Sequence, residues 1–152
     1  MGESTVGHIM TEFIQTIPAG STVMEAAKIM STIGIGSIVV TAGESPVGML
    51  TERDIVKKVT SRDITPSRVS VEDVMSRPII TTSPDKIIDE AALMMSVYGI
   101  RRLVVVDGSG RLAGVVTATD IASWLSRIEN YQNNALNAIA RMRASEKGIP
   151  YG

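Results

Sequence analysis

Apolar side chains recur at helical spacing in two stretches of the chain, which predicts two amphipathic helices. Ser21 and Thr22 have the character of a helix start, as do residues 83–85, while Gly34 and Gly99 are placed as helix stops. The apolar positions of the two predicted helices are Val23, Ala26, Ala27, Met30 and Ile33, and then Ile87, Ile88, Ala91, Met94, Met95 and Tyr98.

Shorter apolar runs flank these helices and predict strands. Residues 14–17 and 79–82 form extended segments before the helices, and short helices are predicted before them at residues 6–10 and 71–75. A predicted hairpin follows each long helix and leads into a further helix, so the fold class is predicted as α+β. The predicted hairpin strands are residues 38–41 with 47–50, and residues 103–106 with 112–116.

The two halves of the chain are copies of one another. At an offset of 65, 13 of the 36 positions from Val6 to Thr41 are identical, and an offset of 66 then aligns a second motif, described below. A tandem duplication predicts two repeats, at residues 6–60 and 71–127, with a linker at 61–70 and a C-terminal helical extension at 128–152. Because neither repeat can close a core alone, we expect the copies to pack sheet against sheet.

Composition restricts the chemistry that these 152 residues can carry. The chain has no Cys and one His, which excludes disulfides, thiolate catalysis and a multi-histidine metal site within one chain. A net charge of −1 and 3% aromatic residues argue against nucleic-acid binding. Since no apolar run approaches about 20 residues and no secretory signal begins the chain, we expect a cytoplasmic protein that does not bind membranes.

The strongest chemical signal is a motif that occurs once in each repeat. Gly48 is followed by Thr51 and Asp54, and Gly114 is followed at the same spacing by Thr117 and Asp120. One interpretation is a structural capping box, in which the Thr and the acid cap a helix N-terminus. The alternative is a binding site, in which the carboxylate accepts two hydroxyls of a vicinal diol such as a ribose and the glycine lets a flat ring approach the strand.

Arginines near these motifs suggest a phosphate. Arg101 and Arg102 are adjacent, so on a strand at most one of them faces a given pocket. A guanidinium suits phosphate recognition, and Arg53 is a third candidate. The alternatives are simple solvation of the pair and a surface ion pair for Arg53.

Together these motifs resemble a tandem pair of CBS domains, often called a Bateman module, over residues 6–127. Both repeats match the family pattern of Gly, two apolar residues, Thr or Ser, two variable residues and Asp. They depart from a companion pattern by carrying Val39 and Val104 where Pro is common. The resemblance implies that the two sheets pack about a pseudo-twofold axis, leaving two clefts between the repeats. It also implies that two chains pair into a homodimer.

The resemblance also implies a site for an adenosine ligand in a cleft. Its ribose would lie on Thr51 and Asp54 or on Thr117 and Asp120, its phosphates on basic or hydroxyl side chains, and its adenine against the early extended segment. The implied phosphate set is Arg53, Arg101, Arg102, Ser37 and Thr119. The implied adenine set is Ile14, Thr16, Ile17 and Pro18, or Ile79, Ile80, Thr81 and Ser83.

The leading hypothesis is a regulatory module that senses AMP, ADP or ATP and signals to a separate, unknown effector protein, with no cofactor required. The arginines favour these nucleotides over S-adenosylmethionine. The alternative is a protein–protein interaction or scaffold module whose clefts are vestigial. An enzyme is not indicated, because the sequence shows no nucleophile–base pair, metal cluster or glycine-rich phosphate loop.

An apolar stripe continues past the second repeat to Met142 and needs a hydrophobic partner. The stripe either folds back on its own chain or packs against a second subunit. We expect the second, because a duplicated core should leave little apolar surface to receive a helix. Its members are Trp124, Leu125, Ile128, Tyr131, Leu136, Ile139 and Met142.

Overall fold

The computed structural model describes residues 4–128 and 138–142, and it confirms the predicted α+β class. The strands form two three-stranded sheets. In chain order the elements are α1 Val6–Ile9, β1 Thr16–Pro18, α2 Val23–Ile33, β2 Ser37–Ala42, β3 Ser45–Thr51, α3 Glu52–Lys58, α4 Val71–Val74, β4 Thr81–Thr82, α5 Ile88–Tyr98, β5 Arg102–Val106, β6 Leu112–Thr117 and α6 Ala118–Leu125. Two 3₁₀ turns, Thr60–Arg62 and Pro66–Arg68, lie between α3 and α4.

The chain divides into two compact units. One, the central unit, is Gln15–Ile79, and the other, the N/C unit, combines Met1–Ile14 with Ile80–Tyr151. In the central unit β1 runs parallel to β2, and β2 runs antiparallel to β3. The N/C unit repeats this order with β4, β5 and β6.

The units differ from the sequence repeats because the short helices are exchanged. Helix α1, from the first repeat, lies in the N/C unit, and α4, from the second repeat, lies in the central unit. After α1, Thr11 exchanges two backbone hydrogen bonds with Val115 of β6, at 2.9 and 3.0 Å. After α4, Ser76 does the same with Met49 of β3, at 3.1 and 2.8 Å.

Two strand glycines make room for these exchanged segments. A Cβ at Gly114 would lie 2.5 Å from the Thr11 carbonyl oxygen, and a Cβ at Gly48 would overlap Met75 Sδ. Our expectation that these glycines admit a flat ligand ring is therefore corrected: the neighbour that needs the space is the protein's own chain.

The helix starts differ between the repeats, while the predicted stops are confirmed. Gly34 and Gly99 end α2 and α5 in the left-handed region, at φ of 80° and 64°. Thr22 caps α2 as expected, but the predicted start of α5 at residues 83–85 is wrong. Ser83 instead donates to Asp85 at 2.6 Å within a turn, and α5 begins at Ile88.

Each unit has its own hydrophobic core. The core of the central unit contains Ile17, Val23, Ile38 and Leu50, and that of the N/C unit contains Val6, Ile88, Leu103 and Ile121, among others. The N-terminal helix therefore contributes Val6, fully buried, to a core built mainly from the second repeat.

The described part of the tail folds back on its own chain. Residues 138–142 are helical, and Ile139 and Met142, which are 7% and 8% exposed, belong to the core cluster of the N/C unit. This corrects the expectation of an intersubunit role for these two residues, because α5 and α6 retain apolar surface that receives them. A cavity of about 430 Å³ remains between α5, α6 and this segment. Tyr131 and Leu136 lie outside the described residues.

Replacing Gly114 by Ala should destabilise the protein by about 1–3 kcal/mol, because the new methyl group would overlap backbone after α1. Urea denaturation measures the change. Gly108→Ala is the matched control, since a Cβ there meets nothing within 4 Å. Equal stability of the two variants would contradict the close approach.

Replacing Ile139 by Ala should lower the free energy of unfolding by about 2–5 kcal/mol without changing the association state, because its partners lie in the same chain. Denaturation and light scattering on the same samples measure both quantities. The control is Ala140→Ser at an exposed neighbouring position. Unchanged stability together with weaker association would restore the intersubunit role.

Candidate functional site

The residues predicted to bind a ligand gather at one end of each sheet. In the N/C unit β4 and β5 begin at the same end, because they are parallel, and antiparallel β6 finishes there and leads directly into α6. The start of β4, Arg102 and Thr117 therefore meet at this end. The central unit brings together the start of β1, Ser37 and Thr51 in the same way.

The capping box of the N/C unit leaves much of its carboxylate available. The Thr117 amide donates to Asp120 Oδ2 at 2.8 Å, and the Asp120 amide donates to Thr117 Oγ1 at 3.1 Å. Asp120 is partly exposed, and among the described residues its carboxylate accepts a hydrogen bond from the Thr117 amide alone. A carboxylate accepts about four hydrogen bonds, so Asp120 retains capacity for a diol.

The two arginines lie beside this capping box. Arg102 is the first residue of β5 and is paired with Thr117, so their side chains share one face of the sheet. Arg101 comes just before the strand, and its carbonyl accepts from the Ala118 amide at 2.8 Å. Burial, and secondarily the charge of Arg101, lower the pKa of Arg102. An anion at this position would relieve both effects.

The same capping box in the central unit is extended into a closed network. Asp54 Oδ2 accepts from the Thr51 amide and hydroxyl, both at 3.0 Å. The Ser76 hydroxyl lies 3.1 and 3.2 Å from the two Asp54 oxygens, and Lys58 Nζ lies 3.0 Å from Asp54 Oδ1. Lys58 also donates to the Val74 carbonyl at 2.9 Å, so it joins α3 to the end of α4.

The remaining polar candidates occupy equivalent positions in the two units. Arg53 and Thr119 are exposed in the first turns of α3 and α6, and Ser37 is paired with Thr51 just as Arg102 is paired with Thr117. Each lies at the strand–helix junction where the sequence predicted it. Whether they contact phosphate stays a prediction.

The residues predicted to contact adenine differ in how deeply they are buried. Ile17 is 2% exposed and belongs to the central core, which corrects its assignment to a ligand surface. Thr16, Ile80, Thr81 and Ser83 are partly exposed, and Pro18 is exposed. Ile14 and Ile79 are the last residues before the chain passes from one unit to the other.

Sequence reasoning missed two residues of the Asp54 network. Lys58 follows Asp54 by four positions, a spacing that brings charged side chains together on a helix, so it could have been found. Ser76 is 22 residues away and reaches Asp54 through the exchanged segment, for which the sequence offered no local signal.

The described residues have neither a cluster of metal-ligating side chains nor a membrane-spanning helix. Residues 4–128 and 138–142 contain no group of three His, Asp or Glu side chains that could hold a metal ion. Within the same residues, no helix combines the length and apolar character needed to cross a membrane.

Comparison with known proteins assigns the family. The model of the CBS domain matches twice, at residues 6–61 and 71–127, so the chain belongs to the CBS domain family and carries a tandem pair. Among solved structures, the CBS domain protein TA0289 from Thermoplasma acidophilum is 31% identical, with a TM-score of 0.78 over 99% of this chain and 80% of that one.

A second solved structure bears on the ligand. The CBS domain pair of protein MJ0100, in complex with 5′-methylthioadenosine and S-adenosyl-L-methionine, is 29% identical, with a TM-score of 0.70 over 83% of this chain and 98% of that one. Adenosine is thus the element shared by the ligands of this related pair.

The curated relatives extend beyond the region that matches. Protein MK0525 from Methanopyrus kandleri is 41% identical over 122 residues, which are 80% of this chain and 62% of that protein. A homoserine O-acetyltransferase from Methanohalophilus mahii is 32% identical over 128 residues, but these are 26% of its length. This chain therefore spans less than two thirds of the length of either relative.

Breaking the Asp54–Lys58 pair should destabilise the protein. Asp54→Asn and Lys58→Met should each cost stability, and the double variant should show a coupling of about 1–2 kcal/mol, reduced from a fully buried pair because Lys58 is 37% exposed. A double-mutant cycle by urea denaturation measures the coupling. Lys57→Met, at an exposed position in the same helical turn, is the control. Strict additivity of the Asp54 and Lys58 variants would contradict the network.

Proposed function

We propose that this chain is a regulatory module that binds an adenine nucleotide, AMP, ADP or ATP, and signals its occupancy to a separate effector protein. The ribose hydroxyls would bind the Asp120 carboxylate at the start of α6. The observation that carries this proposal is the partly exposed Asp120 carboxylate, with its remaining acceptor capacity, beside two arginines at one end of the N/C sheet.

Adenosine recognition is supported by chemistry and by similarity. A carboxylate with free lone pairs can accept both hydroxyls of a ribose, and hydrogen bonds to a charged acceptor are among the stronger ones in proteins. The related CBS pair of MJ0100 is solved with two ligands that contain adenosine. Partly exposed Ile80 and Thr81, at the start of β4, are the proposed neighbours of the adenine ring.

The arginines favour a ligand with phosphate. Arg102 shares a sheet face with Thr117, and its guanidinium is partly removed from water next to a second positive charge. Phosphate oxygens match the planar donors of a guanidinium, whereas a methylthio or sulfonium group does not. Thr119, exposed in the first turn of α6, is a further proposed donor.

An association surface is the second candidate, and it is compatible with the first. Leu93, Val97 and Tyr98 of α5 are 64%, 70% and 55% exposed. Residues four positions apart lie on the same side of a helix, so Leu93 and Val97 form one apolar patch, with exposed Tyr98 next to Val97 in the chain. Such a patch suits pairing of two chains, and we propose a homodimer. If the clefts are vestigial, this surface would be the functional one.

Calorimetric titration with AMP and with adenosine tests the nucleotide proposal. Arg102→Ala should weaken AMP binding about 10- to 150-fold and adenosine binding much less, because the lost contact is charged, and the difference should shrink with added salt. Arg111→Ala is the control, since Arg111 pairs with Asp107 in an exposed turn. Equal losses for the two ligands would reject the phosphate role, and the absence of any binding by the wild-type protein would favour the interaction module.

A further inference from the structure

We infer that the first repeat does not bind the nucleotide, because Lys58 and Ser76 already occupy the acceptor positions of Asp54 that a ribose would need. The chain then binds one nucleotide, at Asp120. This inference rests on the proposed function and adds to it the number and location of the sites.

The Asp54 carboxylate is saturated by the protein. Four donor groups converge on its two oxygens: the Thr51 amide, the Thr51 hydroxyl, the Ser76 hydroxyl and the Lys58 ammonium, all between 3.0 and 3.2 Å. Four hydrogen bonds are about what a carboxylate accepts. The Asp54 side chain is also only 9% exposed. A ligand hydroxyl would therefore have to displace the Lys58 ammonium or one of the groups that already donate a hydrogen bond to this carboxylate.

The repeat alignment shows why Asp120 differs. The position of Lys58 is taken by Trp124, which packs against the N/C core and carries no charge. The position of Ser76 is taken by Thr11, which is exposed. Among the described residues, only the Thr51 amide of these four donor groups has a counterpart on Asp120, the Thr117 amide, and the other three places around the carboxylate are left to a ligand.

The charged residues at the two strand–helix junctions, β3 to α3 and β6 to α6, also favour ligand binding at Asp120 over Asp54. Arg101 and Arg102 correspond to Gly36 and Ser37, and Ala118 corresponds to Glu52. The Glu52 carboxylate lies beside Gly36, where a Cβ would be 3.6 Å from its oxygen. A phosphate at that place would meet a negative charge, whereas the equivalent place in the N/C unit has Arg102, which shares a sheet face with Thr117.

Arg53, a cation of the first repeat, does not reverse this difference in charge. Arg53 is exposed and directly follows Glu52 in the chain. The charges of Glu52, Arg53, Asp54 and Lys58 cancel, while Arg101, Arg102 and Asp120 leave one net positive charge. The first junction thus has a carboxylate that is hydrogen-bonded by its own chain, and the second has a carboxylate with acceptor capacity beside Arg102.

The test is calorimetric titration of AMP into the wild-type chain and two matched variants, Asp54→Asn and Asp120→Asn. We expect one AMP per chain for the wild type. Asp120→Asn should weaken binding about 10-fold or more, since it removes the charge that accepts the ribose hydroxyls. Asp54→Asn should leave the Kd within about 2-fold while lowering the midpoint of thermal unfolding by several degrees.

The outcomes separate this inference from the proposed function. Two AMP per wild-type chain would overturn the inference and leave the function standing, and so would losses in Asp54→Asn that equal or exceed those in Asp120→Asn. Because the wild-type stoichiometry needs no variant, the test survives if Asp54→Asn does not fold. Absence of AMP binding by the wild type would overturn the proposed function and this inference together.

Discussion

The short segments that follow α1 and α4 reach the edges of β6 and β3, and the rest of each unit depends on that close approach. It requires a residue without a Cβ at Gly114 and at Gly48, where the neighbours are the Thr11 carbonyl and the Met75 side chain. The backbone pairs that result, Thr11 with Val115 and Ser76 with Met49, attach each short helix to the sheet of the other repeat. A side chain at position 114 would meet backbone and would force the segment after α1 away from β6, whereas one at position 48 would meet the flexible side chain of Met75.

This exchange explains how two small repeats together complete two hydrophobic cores. Val6 enters the core formed mainly by the second repeat, and Val71 and Val74 enter the core formed mainly by the first. Burying a large apolar side chain contributes about 1.5–3 kcal/mol to the free energy of unfolding. A repeat gains this contribution from the exchanged helix only when its copy is present in the same chain. The duplication is thus part of the stability of each unit.

Local signals in the sequence predicted the elements well and long-range placement poorly. The left-handed ends at Gly34 and Gly99 and the capping boxes at Thr51 and Thr117 follow from residue type and spacing alone. The start of α5 was missed because Ser83 and Asp85 bond to one another instead of capping the helix. The similarity of the two repeats does not predict which repeat a short helix packs against, since both repeats have the same pattern of apolar residues. For the same reason the sequence could not place Ser76 beside Asp54.

The two capping boxes differ in how many hydrogen bonds their carboxylates accept from the protein itself. Capping a helix uses one carboxylate oxygen, and in both repeats the Thr amide donates to Oδ2 of the Asp. The motif is therefore satisfied equally by either role, which is why its sequence left both open. The two carboxylates differ in the hydrogen bonds that their second oxygen accepts. In Asp54 it accepts from Lys58 and Ser76, groups brought there by the next helical turn and by the exchanged segment. In Asp120 the next turn supplies Trp124, which adds to the core and not to the carboxylate. The Asp54 oxygen is therefore held by two groups, one from the same helix and one from the exchanged segment, and a ligand at Asp120, as proposed, would take the place of both.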